Sequence, residues 1–242
     1  MLTLADATFL YDAAGGIRGA NLRVAPGEVV GVVGANGAGK STLLGLAAAA
    51  LVPQAGQVTL ALTDLAGRTR KFRSDVGIGY RRHVGYMTEL APVYGEMGVE
   101  AYLRFRAILR GERILRVRRR VMEAMERCGL MGLRRRTVGT LSLGLRRRVA
   151  LAEALLTMPS VLVLDDPFAG IDATLREAFA EVIREVGARA HVLISGHDPL
   201  LLEACCTRFA LVEKGALTET GLDAQAARAR LLPAPATDGG EA

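Results

Sequence analysis

The sequence predicts an α/β domain in which a helical lobe interrupts a sheet, and three observations predict it. A short Val-rich run, Glu28–Val33, ends at a glycine and leads into a helical pattern, as a strand buried on both faces does. From Val99 to Leu156 the apolar residues recur at helical spacing. Beyond that stretch strand and helix alternate again, with apolar runs at Val161–Leu164 and His191–Ser195.

Taken in order, Leu2–Leu10 and Ala20–Val24 read as strands, and Pro26 with Gly27 marks the turn into Glu28–Val33. A helix runs from Lys40 to about Leu51, stopped by Pro53. Strands follow at Gln57–Leu62 and His83–Met87. Val99–Leu109, Ile114–Arg127 and Leu145–Leu156 read as helices, with Gly111 and Gly129 as stops. Thr174–Val186 is the helix between the two later strands, and Phe209–Val212 with Ala216–Thr218 suggest a closing hairpin. Pro233–Ala242 is rich in Pro, Gly and Ala, and a disordered tail is expected there.

Half of the 242 residues are apolar and the mean hydropathy is +0.25, which raises the question of a membrane span. The longest nearly apolar run, Leu43–Val52, falls far short of the ~18 residues a spanning helix needs. Met1–Leu10 has no basic flank followed by an apolar core, so no signal peptide is expected and the chain reads as cytoplasmic. Cys128, Cys205 and Cys206 match neither a disulfide framework nor a zinc spacing, so reduced thiols are expected. Net charge is +6, and arginine triplets occur at Arg118–Arg120, Arg134–Arg136 and Arg146–Arg148. No aromatic residues interleave with them, so they read as solvated helix faces and no specific nucleic acid is expected.

The strongest local signal is the run Gly34, Ala35, Asn36, Gly37, Ala38, Gly39, Lys40, Ser41, Thr42, which fits the phosphate-binding P-loop pattern. Its glycines let backbone N–H groups converge on phosphate oxygens without a Cβ in the way. The helix starting at Lys40 adds its positive dipole end. Lys40, one of three lysines in the chain, is placed to reach β- and γ-phosphates, and Ser41 to offer its hydroxyl to Mg²⁺. Val161–Leu164 followed by Asp165 and Asp166 supplies carboxylates at the C-terminal edge of a strand, where α/β sheets place ligands. Asp165 suits Mg²⁺, and Asp166 suits the orientation of an attacking water. The bland alternative is that the two aspartates cap the next helix.

With these motifs and five more in one order, the chain resembles the ABC (ATP-binding cassette) ATPase family from about Leu2 to Leu217. Tyr11 lies where the family stacks an aromatic on adenine, although Phe9 is a rival. Gly85–Glu89 resembles its Q-loop, and Leu141–Leu145 followed by Arg146–Ala152 its signature motif and helix. Ala169–Asp172 resembles its D-loop, and His197, after Ser195 and Gly196, its switch histidine.

The resemblance implies a P-loop NTPase with a RecA-like core (about 1–89 and 156–220), an antiparallel β subdomain and an α-helical subdomain (about 90–155). Together these make a single domain over 1–232. It implies ATP and Mg²⁺ as cofactors, with Mg²⁺ at Ser41, Asp165 and Glu89, and Asp166 and His197 positioning water and γ-phosphate. It further implies a head-to-tail dimer, in which Ser142 and Gly144 act on the partner's ATP and Asp172 helps couple the sites. Separate transmembrane permease subunits would hold it to the cytoplasmic face of a membrane. Within the family, Glu89, Pro92, Tyr94, Met97, Val99, Tyr102–Phe105 and Leu109–Gly111 resemble the ATPase subunits of ABC-2 type exporters.

Three residues or stretches depart from the family's pattern. Asp166 stands where a Glu is usual, one methylene short. The signature reads Leu-Ser-Leu-Gly-Leu where Leu-Ser-Gly-Gly-Gln is usual, so Leu143 adds bulk and Leu145 removes an amide. Glu89 replaces the Q-loop Gln. The expectation is good ATP binding with slow hydrolysis, and a homodimer or a heterodimer with a more typical ABC subunit. Alternatives are a nucleotide-gated regulatory subunit with little turnover and a soluble ABC protein acting on nucleic acid.

Overall fold

The computed structural model describes residues 1–11, 15–76 and 78–231. The stretch 233–242, expected to be disordered, lies outside the described residues. Ten strands form one sheet: β1 (Leu2–Leu10), β2 (Gly16–Val24), β3 (Val29–Val33), β4 (Ala55–Thr63), β5 (Thr69–Arg73), β6 (Val84–Met87), β7 (Val161–Leu164), β8 (His191–Gly196), β9 (Arg208–Glu213) and β10 (Ala216–Leu222). Their spatial order is β5-β4-β1-β2-β10-β9-β3-β8-β7-β6. The run β9-β3-β8-β7-β6 is parallel, whereas β5-β4-β1-β2 is antiparallel.

The helices are α1 (Lys40–Ala47), α2 (Val99–Leu109), α3 (Ile114–Arg127), α4 (Leu143–Leu155), α5 (Ala173–Gly187), α6 (Pro199–Leu202) and α7 (Ala224–Leu231). They cover both faces of the parallel run, which is why its strands read as unbroken apolar segments. Along β3, Val30 and Val32 pack with Leu43, Leu44 and Leu46 of α1, while Val29 and Val33 join the core of α4 and α5. β7 divides the same way, with Val161 and Val163 on one face and Leu162 and Leu164 on the other. The contact between β6 and α4 is close enough that a Cβ on Gly85 would lie 2.1 Å from the Ala154 carbonyl oxygen.

Several elements differ from expectation for local reasons. α1 ends at Ala47, short of Leu51, because Ala49 turns to positive φ and the Gly45 carbonyl accepts from the amides of Ala50 and Leu51. β5 carries Arg70, Lys71 and Arg73 and no apolar alternation, because it is an edge strand whose charges face water. β1 contains register shifts around Asp6, a left-handed residue at φ 48°.

The arginine triplets do not behave alike. Arg120 pairs with Glu112 and Glu123, and Arg134 pairs with Glu100. Arg147, expected on a solvated face, is buried at 6% exposure, because the α4 face that carries it packs against the ends of β6 and β7. All three cysteines are free, and burial pushes the Cys128 thiol up to about 12. Among the described residues no helix is long and apolar enough to cross a membrane.

Candidate functional site

The parallel order β3-β8-β7-β6 sets the predicted site residues side by side along one sheet edge. The loop 34–39 leaves β3, His197 follows β8, Asp165 and Asp166 follow β7, and Glu89 lies two residues past β6. Neighbouring strands stand about 4.8 Å apart, so four chain ends that are distant in sequence meet within one row.

The loop after β3 is shaped by close backbone approach. A Cβ on Gly34 would lie 2.2 Å from the Val212 carbonyl oxygen, and one on Gly39, at φ 110°, 2.6 Å from the Gly16 carbonyl oxygen. Lys40 Nζ donates to the Gly34 and Ala35 carbonyls at 2.8 and 2.9 Å. Burial lowers its pKa, opposed by the carboxylates of Asp166, Asp165 and Glu89. Ala35, Asn36, Gly37 and Ser41 are exposed, whereas Ala38 and Thr42 are buried. The open rim carries amides and the Ser41 hydroxyl, a surface suited to an anion rather than to an apolar ligand.

Asp165 is buried, its amide donating to the Met87 carbonyl at 2.9 Å. The Ser195 hydroxyl donates to Asp165 Oδ1 at 2.6 Å, and the Asp166 amide donates to Ser195 Oγ at 2.9 Å. Asp166 sits in the left-handed region at φ 43°, a conformation that Asp tolerates better than most residues. His197 Nδ1 lies 3.7 Å from Asp166 Oδ2, too long for a hydrogen bond but close enough for a charge to matter. Glu89 is exposed. Among the described residues no group of three or more His, Cys, Asp or Glu forms a metal cage. One buried aspartate and an exposed hydroxyl still fit Mg²⁺, which takes few protein oxygens and completes its shell with water and phosphate.

Tyr11 is exposed just past β1 and meets Phe9 edge to face, with centroids 5.0 Å apart, so of the two rings Tyr11 is the one open to solvent. Ser142, Gly144 and Asp172 lie at the starts of two helices, α4 and α5. Ser142 caps α4, its Oγ accepting from the Leu145 amide, and Asp172 caps α5, accepting from the Leu175 amide at 2.8 Å. A Cβ on Gly144 would lie 2.6 Å from Leu175 Cδ2, so this glycine serves the packing of α4 on α5. Leu143 is half exposed, and Leu145 packs partly into the core.

Two residues given no role by sequence reasoning join the site. Ser195 bridges the two aspartates, and its only sequence signal was its place two residues before His197. Arg147 donates from Nη1 to the Asp166 carbonyl at 2.9 Å and from Nη2 to the Glu89 carbonyl at 3.3 Å. Its place in an Arg triplet hid it.

Away from this edge, a groove of about 510 Å³ runs between the end of α1 and the end of α2, lined by Ala48, Ile78, Arg81, Arg82, Leu109 and Arg110. Phe105 and Ile108, earlier on α2, are also exposed. Arg110 is held there by Glu153, which also receives Arg106 and the Tyr102 hydroxyl.

The profile of the ABC transporter family matches residues 17–169, more than half of the chain. The ABC transporter ATP-binding protein NatA of Bacillus subtilis is 28% identical over 206 residues, covering 85% of this chain and 81% of NatA. The Fe(3+) ions import ATP-binding protein FbpC of Streptomyces coelicolor is 33% identical over 223 residues, covering 91% of this chain and 62% of FbpC. A solved ATP-binding subunit of an ABC transporter superposes with a TM-score of 0.77 at 27% identity, covering 92% of this chain and 90% of that one.

Proposed function

Because the chain belongs to the ABC transporter family, whose members are ATP-binding and ATP-hydrolysing subunits, we propose that it drives transport through separate membrane subunits, in the manner of ABC-2 type exporters. The observation that carries the nucleotide reading is the single row of Lys40, His197, Asp166, Asp165 and Glu89 along the ends of β3, β8, β7 and β6. The export type rests on the middle of the sequence, from Glu89 to Gly111. The groove beside α2 supports the membrane subunits, since apolar side chains rimmed by Arg81, Arg82 and Arg110 suit a docking helix. No substrate is assigned.

In this reading Tyr11 stacks on adenine, and the amides of 34–42 with Lys40 hold the phosphates. Lys40 exchanges its two carbonyl partners for phosphate oxygens when ATP binds. Ser41 and the remaining oxygen of Asp165 would hold Mg²⁺, with Glu89 beside them. Bound there, the ion would supply positive charge to offset that of the phosphates. Asp166 orients the attacking water and His197 faces the γ-phosphate, so positioning and charge stabilisation serve the transition state. Ser142 and Gly144 serve the ATP of a second subunit across a dimer.

A second reading, a nucleotide-gated subunit with little turnover, is favoured by the shorter carboxylate of Asp166 and the exposed Leu143. ATP affinity and turnover of the purified chain, beside Lys40→Ala and with co-expressed membrane subunits, separate the two. Turnover abolished by Lys40→Ala and raised by membrane subunits is expected. Turnover that survives Lys40→Ala overturns the site, and tight binding without turnover in any assembly favours the second reading.

A further inference from the structure

Arg147 is the least solvated member of its triplet, and its surroundings are unusual for a cation. Among the described residues its partners are two main-chain carbonyls, those of Asp166 and Glu89, and its Nε is buried without a partner. Burying a guanidinium without a carboxylate is costly, and two charge-assisted hydrogen bonds offset that cost only in part. Such an arrangement persists where it holds something in place. The two clasped carbonyls belong to the residues whose carboxylates the proposed function gives to water and to the metal.

The clamp is specific to these two peptides. Asp166 follows β7 and Glu89 lies just beyond β6, so neither carbonyl belongs to the strand ladder. The left-handed Asp166 is gripped from both sides, its amide by Ser195 Oγ and its carbonyl by Arg147 Nη1. Arg147 itself rides on α4, the helix capped by Ser142. Any displacement of α4 therefore reaches both loops through one rigid, planar group.

We propose that Arg147 is a positioning residue that locks the backbone of Asp166 and Glu89 to the helix carrying Ser142. In a dimer where Ser142 faces the second subunit's nucleotide, this clamp carries the state of one site to the carboxylates of the other. The proposal rests on the reading of Asp166 and Glu89 given above.

The test compares Arg147→Met, Arg147→Gln and Arg147→Lys for thermal melting, ATP affinity and ATP turnover. Misplacing a catalytic group by about 1 Å costs on the order of a hundredfold. For Arg147→Met, kcat is expected to fall about 10- to 100-fold, with Kd for ATP within about threefold of wild type. Arg147→Lys, able to reach one carbonyl, should recover part of the loss. Because part of the effect runs through Asp166, Arg147→Met should slow turnover less in an Asp166→Asn background than it does in wild type. Should Arg147→Met fail to fold, the Gln and Lys variants carry the comparison. Wild-type kcat in a folded Arg147→Gln beside an inactive Asp166→Asn overturns this proposal alone. Equal losses of kcat and ATP affinity, or additive losses in the double variant, also overturn it. Wild-type turnover in Asp166→Asn overturns instead the reading of Asp166 on which it rests.

Discussion

The Ser195 hydroxyl, fully buried, donates to Asp165 Oδ1 at 2.6 Å and so fixes which oxygen of that carboxylate is left for the proposed cation. The same Oγ receives the Asp166 amide, so one side chain sets the spacing of both aspartates. Ser195→Ala orphans a buried carboxylate oxygen and a backbone donor, at a cost of about 2–3 kcal/mol. For a chain this size a melting temperature lower by about 5–10 °C is expected. Half-maximal turnover should also require several-fold more Mg²⁺. A variant that melts and titrates like wild type would mean that the two aspartates are positioned by other contacts.

Asp166 presents two opposing effects that a substitution can separate. Lengthening it to Glu brings the carboxylate one methylene further out, and turnover is expected to rise roughly tenfold. Glu is also less tolerant of φ 43° than Asp, by up to about 1 kcal/mol, so the melting point should fall by about 2–4 °C. Asp166→Asn keeps the shape and the tolerance of positive φ, so it should melt normally and lose at least about a hundredfold in turnover. A slower Glu variant would show that the shorter side chain is the right reach for this left-handed backbone.

The parallel strands, α2, α3 and the glycine-rich turn between β3 and α1 were legible because their signals are local. Val29–Val33 and Val161–Leu164 are apolar on both faces, and Gly34 and Gly39 stand where a Cβ would strike backbone. β5 was not legible, since an edge strand of Thr69–Arg73 buries too little to show a pattern. α6 and α7 are too short for periodicity to declare itself. Arg147 and Ser195 were missed for a different reason. Their importance lies in which distant carbonyl, amide or carboxylate they reach, and spacing along the chain carries no trace of that.

Lys40 gives a pH dependence whose sign is fixed by its direction of shift. Burial lowers its pKa, so between that lowered value and the ordinary one of about 10.4 the unfolded chain holds more protons than the folded chain. Stability from this group therefore rises with pH across that window and is depressed below it. Lys40→Met removes the dependence. At neutral pH the variant should melt at or above wild type, and the gap should close as pH rises toward 10. On the proposed reading of Lys40, its ATP affinity should be lower by at least about a hundredfold, since the charge-assisted contacts to phosphate would be lost. A gap independent of pH would mean that the two carbonyl contacts of Lys40 fully offset its burial.

Glu153 is the counterweight to the open groove. It is 7% exposed and gathers the Tyr102 hydroxyl and the guanidinium groups of Arg106 and Arg110, tying α2 to α4. Arg110 also donates to the Val84 carbonyl at 3.2 Å, so the cluster reaches β6 as well. Glu153→Ala leaves two partly buried cations facing each other, with a phenol that has lost its acceptor. Both arginines keep some water, which places the loss near the lower end for a broken buried pair, about 3 kcal/mol. Glu153→Gln preserves shape and one acceptor and should cost less, whereas Tyr102→Phe removes a single hydrogen bond worth about 1 kcal/mol. The expected order of melting points is wild type, Tyr102→Phe, Glu153→Gln, then Glu153→Ala, the last lower by about 6–12 °C. ATP affinity should be little changed in all three, because the cluster reaches β6 at Val84, its first residue, the end away from Glu89. A melting point for Glu153→Ala within about 2 °C of wild type would mean that water screens the arginines. The contact between α2 and α4 would then rest on apolar packing alone.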